Sequence, residues 1–342
     1  MDTTLVLTVV IVAVALSFDF INGFHDAANS IATVVSTRVL TPGQAVVWAA
    51  FFNFVAAFSF GTGVAKTVGS GMVDLHYVTP WVILAGLTGA ITWDLFTWWI
   101  GLPTSSSHAL LGGYAGAAIA HVAYVNGISH AFDAILWEGW IFTVLFIVTA
   151  PMIGLALAYV FMAIVYWSFR NASPRRMDKY FRRLQLLSAA ALSWSHGTND
   201  AQKTMGIITG VLVTSGYLKT FHVPIPVILG AHAAIALGTL SGGWRIVKTM
   251  GQRLTRLKPR TGFCAESAAA VSILFSTWLR LPVSTTHVTA GAIAGVGSVQ
   301  HVKAVRWGVA RDIMWAWILT IPASAVVGWL ALTVLHLFNP KL

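Results

Sequence analysis

The chain has 342 residues, of which 57% are hydrophobic and only 9% charged, and its mean hydropathy is +0.76. Soluble domains carry about a quarter charged residues, so the composition excludes a soluble globular protein; the long apolar runs favour membrane-spanning helices over a barrel. A formal net charge of +10 would suit nucleic acid, yet twelve of the 21 Lys and Arg residues fall in two short segments, 170–183 and 245–260, where they read as membrane topology, so no nucleic-acid partner is expected.

In chain order, apolar spans are predicted at about 4–20, 44–64, 81–101, 106–123, 139–168, 185–195, 204–215, 223–243, 263–280, 286–299 and 313–337. Met1 to Leu16 lacks a basic n-region, so a cleavable signal peptide is not expected. A single cysteine, Cys264, leaves no partner for an internal disulfide. Several spans are too short to cross alone, and several contain Gly or are followed by Pro and Ser/Thr clusters, the pattern of broken and re-entrant helices. The expected fold is therefore all-α, with ten to twelve membrane segments.

The first polar break is Asn22-Gly23-Phe24-His25-Asp26-Ala27-Ala28-Asn29, and it returns 174 residues later as His196-Gly197-Thr198-Asn199-Asp200-Ala201-Gln202-Lys203. A carboxylate in apolar surroundings is costly and marks a functional site. Gly23 and Gly197 are expected to let the helix unwind. Asp26 and Asp200 supply carboxylates, which could instead cap the following helix. Asn22, Asn29 and Asn199 supply amides. Such a donor set suits a hard cation, sodium at Asp26 and Asp200 for example, and equally suits a carboxylate that exchanges protons. His25 beside Asp26 is the best placed proton relay. A zinc site is not expected, because no His pair shows metal-ligand spacing and no cysteine lies near. Lys203 stands where the first copy has Asn29; it provides a fixed positive charge in place of a bound sodium, or simply pairs with Asp200. Asp94 and Glu266 are further carboxylates inside apolar stretches.

A second repeated element is Gly101-Leu102-Pro103-Thr104-Ser105-Ser106-Ser107-His108, matched at an offset of 179 by Arg280-Leu281-Pro282-Val283-Ser284-Thr285-Thr286-His287. Proline ends one helix. The hydroxyl residues then open the next, where free N–H groups and the positive dipole end make an anion site. The alternative is that they only cap. The basic segments at 170–183, 245–260 and 301–312 correspond to stretches of the first half that are not basic, so by the positive-inside rule the halves are inverted, with 170–183 and 245–260 cytoplasmic. This divides the chain into a first repeat, 1–169, a basic linker, 170–183, and a second repeat, 184–342.

The two aspartate motifs and the two hydroxyl clusters together resemble the signatures of the inorganic phosphate transporter (PiT) family, and the likeness extends from about residue 10 to 335. It implies secondary active transport of phosphate with protons or sodium, a homodimer in the plasma membrane, and no catalysis and no cofactor. By matching position, Asp26, Asn29, Asn199 and Asp200 would line the phosphate and cation sites. Ser105, Ser106, Ser107, Ser284, Thr285 and Thr286 would close around phosphate, and Asn22, His25, Asp26, Asp200 and Lys203 would carry coupling. His25 and Gln202-Lys203 depart from the Asn-Asp and Ala-Asn forms of the signature. These departures resemble bacterial carriers of phosphate, or of metal–phosphate complexes, that couple to protons, and they count against a two-sodium site. A sulfate symporter on the same scaffold is the nearest alternative. Sulfate has no proton to donate to Asp26 or Asp200 near neutral pH, which favours phosphate. An anion channel and an intramembrane metalloenzyme are more distant alternatives.

Overall fold

The computed structural model describes residues 3–59 and 61–339; Met1 and Asp2, where the expectation about the N-terminal segment begins, lie outside them. The described residues form helices and one isolated antiparallel bridge, Val73 to Ile135. In chain order the helices are α1 (Thr3–His25), α2 (Ala27–Ser36), α3 (Pro42–Val55), α4 (Gly63–Ser70), α5 (Pro80–Ile100), α6 (Ser106–Val125) and α7 (Trp137–Ser168). Then come α8 (Pro174–Thr214), α9 (Ile225–Ser241), α10 (Trp244–Lys248), α11 (Pro259–Trp278), α12 (Thr285–Gln300) and α13 (Trp307–Phe338). A π-helical turn, Thr249–Arg253, continues α10.

Local sequence explains many helix starts. Thr41 and Gln44 form a capping box that brackets Pro42, and Thr79, just before Pro80, accepts from the Val82 amide. Proline within α7 and α13, Pro151 and Pro322, does not end either helix; in a long membrane helix, neighbouring helices and side chains satisfy the freed carbonyl.

Four stretches are long and apolar enough to cross a bilayer unaided: Thr4–Ser36, Pro80–Ile100, Trp137–Ser168 and Trp307–Phe338. Two bent pairs, α3 with α4 and α9 with α10, raise that to six. The expected ten to twelve is larger because α6, α8, α11 and α12 do not meet this criterion. These four are shielded by the other helices over much of their length and carry buried polar groups that a lipid-facing helix would not tolerate. The exposed apolar side chains of α7 and α13, among them Ile141, Val148, Ile318 and Leu330, give the outer surface its bilayer-compatible character.

Two expectations about helix continuity change. Spans 185–195 and 204–215 are not separate: α8 runs unbroken for 41 residues, and most of the basic linker is its first turns, beginning at Pro174. The helix breaks at Asp26 in the first copy, but not at Asp200 in the second. Glycine serves close packing in both copies instead. A Cβ on Gly23 would lie 2.1 Å from the Ile235 carbonyl oxygen of α9, and one on Gly197 would lie 2.6 Å from the Asn53 carbonyl oxygen of α3. Packing partners exchange between the halves: α6 lies against α5 and α13, whereas α12 lies against α11 and α7. The closest approaches follow suit, with a Cβ on Gly116 of α6 falling 2.1 Å from the Ala325 carbonyl oxygen and one on Gly291 of α12 falling 2.2 Å from that of Pro151.

Candidate functional site

Asp26 and Asp200 start 174 positions apart in sequence and meet in the interior. Carboxylate oxygens of both and an imidazole nitrogen of His196 lie within 4.8 Å of one another. The hydroxyl ends of α6 and α12 arrive at the same place. Ser105 and Ser284 act as helix caps, each accepting from an amide three residues on, His108 N at 3.3 Å and His287 N at 3.2 Å. Capping thus accounts for Ser105 and Ser284, Thr104 donates to Thr97 at 2.9 Å, and Ser107, Thr285 and Thr286 turn toward the aspartates and Lys203. Thr285 donates to Asp200 Oδ2 at 3.0 Å and Thr286 to Asp26 Oδ2 at 3.3 Å. Ser107 accepts from the Lys203 ammonium, which also donates to Asp200 Oδ1 and, at 2.8 Å, to the Val283 carbonyl. One buried ammonium therefore ties the α8 motif to both helix tips.

The remaining predicted residues surround this centre. His25 Nδ1 is 2.7 Å from Asp26 Oδ1, and its Nε2 is 3.1 Å from Thr97 Oγ1. Asn29 donates to Thr285 and Thr286 at 3.2 and 2.9 Å. Asn199 reaches Thr277 at 2.8 Å and the Leu281 carbonyl at 3.3 Å, holding the loop that leads into α12. The Asn22 backbone carbonyl accepts from the Asp26 amide at 2.8 Å, while its side-chain amide lies 3.5 Å from Asp19 Oδ1. Ser106 is buried with its hydroxyl beside the Asp94 carboxylate. Asp26 occupies the residue before α2, but its side chain caps nothing; the carboxylate faces His25 and Thr286 instead. Asp200 sits inside α8, so it is not a cap.

Sequence reasoning missed Thr97, Thr277, Asn53 and Trp317, and gave Gln202, His108, His196 and His287 no settled place. Thr97 lies six residues ahead of Pro103 and Thr277 five ahead of Pro282, so they fall one position out of register, yet they meet His25 and Asn199, which stand at the same place in the two aspartate motifs. Asn53 Oδ1 lies 3.2 Å from His196 Nδ1 and has no repeat signal. Gln202 accepts from the Val64 and Ala65 amides at 2.9 and 3.3 Å and so caps the start of α4 from another helix. His108 and His287 meet at 4.8 Å between ring centroids, and Trp317 stacks on His287 while donating to the Pro103 carbonyl at 3.1 Å. The histidines of the two tips thus pack against each other.

The electrostatics are one-sided. Asp19, Asp26, Asp94, Asp200 and Glu266 are all buried, and Lys203 is the one buried Lys or Arg among the described residues. Glu266 is satisfied by Thr33, Gln185 and Ser188. Asp94 has only the Ser106 hydroxyl beside its carboxylate. Five acids against one ammonium cannot all remain ionised at low dielectric; protons or bound cations must neutralise part of that charge.

The profile of the phosphate transporter family matches residues 22–328. A protein of Rhizobium meliloti (strain 1021) named as a probable low-affinity inorganic phosphate transporter is 53% identical over 96% of this chain and 96% of its own. One of the same name from Bacillus subtilis (strain 168) is 43% identical over 98% of this chain and 99% of its own. A solved structure titled the sodium-dependent phosphate transporter superposes with a TM-score of 0.87 at 25% identity, covering 97% of this chain and 99% of that one.

Proposed function

The chain belongs to the phosphate transporter family, and from that premise we propose that it is a secondary active symporter of inorganic phosphate, carried alone or as a metal–phosphate complex. The observation that carries this reading is the meeting of two helix N-termini, with Ser107, Thr285 and Thr286, at a pair of aspartates whose charge is only partly balanced by Lys203. The helix ends and hydroxyls donate to phosphate oxygens. Asp26 and Asp200 accept from a phosphate OH, an interaction that sulfate cannot make near neutral pH.

A phosphate dianion entering a site that already holds two carboxylates and one ammonium needs added positive charge. That requirement is the physical basis for symport. The proposed coupling ion is the proton. Lys203 already places an ammonium between Asp200, Ser107 and Val283, where a sodium ion would take three oxygens. His25 links Asp26 to Thr97 and offers a path for proton exchange. The two halves act as inverted repeats, and the tips of α6 and α12 exchange environments to alternate access. The protein works as a homodimer in the bacterial inner membrane, with 170–183 and 245–260 facing the cytoplasm.

Uptake by proteoliposomes tests this. Labelled phosphate and sulfate are offered under separate proton and sodium gradients, with and without magnesium. Phosphate accumulates under a proton gradient in sodium-free buffer. No phosphate movement under any condition overturns the reading, and equilibration without accumulation would indicate a channel.

A further inference from the structure

Away from the aspartates, α7, α12 and α13 enclose an apolar groove of about 290 Å³ on the outer, bilayer-facing surface. One wall is Pro151 and Leu155 of α7, another is Met314 and Ile318 of α13, and the floor is Ala290, Gly291 and Ala294 of α12. Leu254 and Trp307 close one end. The Arg306 amide donates to the Leu254 carbonyl at 3.0 Å, so the segments that supply these two residues are joined. We propose that this groove is a binding site for one anionic phospholipid of the cytoplasmic leaflet, with an acyl chain in the groove and the headgroup at its basic end.

Two features select that occupant. The first is length. Trp307 and Ile318 are eleven residues apart on one helix, which at about 1.5 Å per residue is roughly 16 Å, close to half of a hydrocarbon core of about 30 Å. The groove therefore spans one leaflet, with a tryptophan at its interfacial end. The second is charge. Arg253 flanks Leu254, Arg256 follows two residues later, and Lys303 and Arg306 precede Trp307; all four side chains are exposed. The nearby acid, Asp312, lies 3.9 Å from Arg311. A basic rim over an apolar slot between membrane helices matches a phospholipid with a negative headgroup, and a slot left unfilled forfeits dispersion contacts along its walls. The site lies on the back of α12, the helix whose first residues, Thr285 and Thr286, touch Asp200 and Asp26. Trp317, also in the groove lining, reaches His287 and Pro103.

Native mass spectrometry of the full-length protein tests the site without depending on transport, so its failure is separable from failure of the transport reading. The protein is equilibrated in detergent with equal amounts of dioleoyl phosphatidylglycerol and dioleoyl phosphatidylcholine. One phosphatidylglycerol per protomer is retained in preference. Arg253→Gln and Arg306→Gln, both at exposed side chains, each reduce that preference about five-fold, and Ala310→Trp, at a residue of α13 that lines the groove, fills it and removes the preference. Equal retention of the two lipids by the unmodified protein overturns the proposal. So does retention unaffected by all three substitutions, or an Ala310→Trp variant that splits a dimer while keeping its lipid, since the occupant would then be a second copy of the chain.

Discussion

Replacing Lys203 by Asn puts the first-half residue into the second half and removes the one buried ammonium among the described residues. In the structure that ammonium is held by Asp200 Oδ1, Ser107 Oγ and the Val283 carbonyl, so the substitution leaves three oxygens facing a vacancy. Removing one partner of a buried ion pair costs on the order of 3–5 kcal/mol. The lower end applies here, because Asp200 Oδ2 keeps His196 at 3.1 Å and Thr285 at 3.0 Å. Three converging oxygens are also a place for a hard monovalent cation, and sodium at a hundred times its Kd restores about 2.7 kcal/mol. The variant in detergent should therefore melt well below the unmodified protein in choline chloride and recover much of the difference in sodium chloride of equal ionic strength. Uptake by the variant should acquire a sodium requirement. A sodium response no larger than that of the unmodified protein, in melting or in uptake, would refute the idea that Lys203 stands in for a cation.

Three further outcomes follow from other parts of the structure. Ser107→Ala should lower phosphate uptake at least ten-fold, because a hydrogen bond to a charged group is worth roughly 1.5–3 kcal/mol. Ser105→Ala removes only a cap, costing about 1 kcal/mol of stability, and leaves uptake of the same order; equal effects of the two on uptake would show that both hydroxyls only cap. Gly116→Val should cost more than the roughly 1–3 kcal/mol of ordinary overpacking, since even a Cβ would sit 2.1 Å from a backbone oxygen, whereas Gly43→Ala, with nothing within 4 Å, should be tolerated; melting temperatures of both variants check the contrast. Glu266→Gln keeps side-chain shape but turns one acceptor of the Thr33, Gln185 and Ser188 donors into a donor, so the melting temperature should fall by the equivalent of about 1–3 kcal/mol; an unchanged value would mean the carboxyl is already protonated.

Much of this protein is legible in its sequence because two signals are local. Apolar runs of membrane length mark Trp137–Ser168 and Trp307–Phe338 without any knowledge of neighbours. Proline followed by hydroxyl residues marks the starts of α6 and α12, because the cap hydrogen bonds close within three residues. The doubling of both motifs pointed to one interior site, and the aspartates of the two copies do meet there.

What only the tertiary structure decided depends on packing between distant segments. Gly23 and Gly197 read as hinges, yet the helix breaks beside only one motif, and close approach of α9 and α3 is what excludes a side chain at both. His196 stands one helical turn before Asp200, so spacing pairs those two; it gave no reason to add Asp26, because spacing along a chain says nothing about helices folded back from the other half. Lys203 could be read as a cation substitute or as a plain ion pair. Its two partners besides Asp200, Ser107 and Val283, arrive from two different helix tips and make it the common partner of both. Local chemistry is written in adjacent residues; the neutrality of a buried site is set by every charge that folding brings within a few ångströms, and those charges are far apart in the chain.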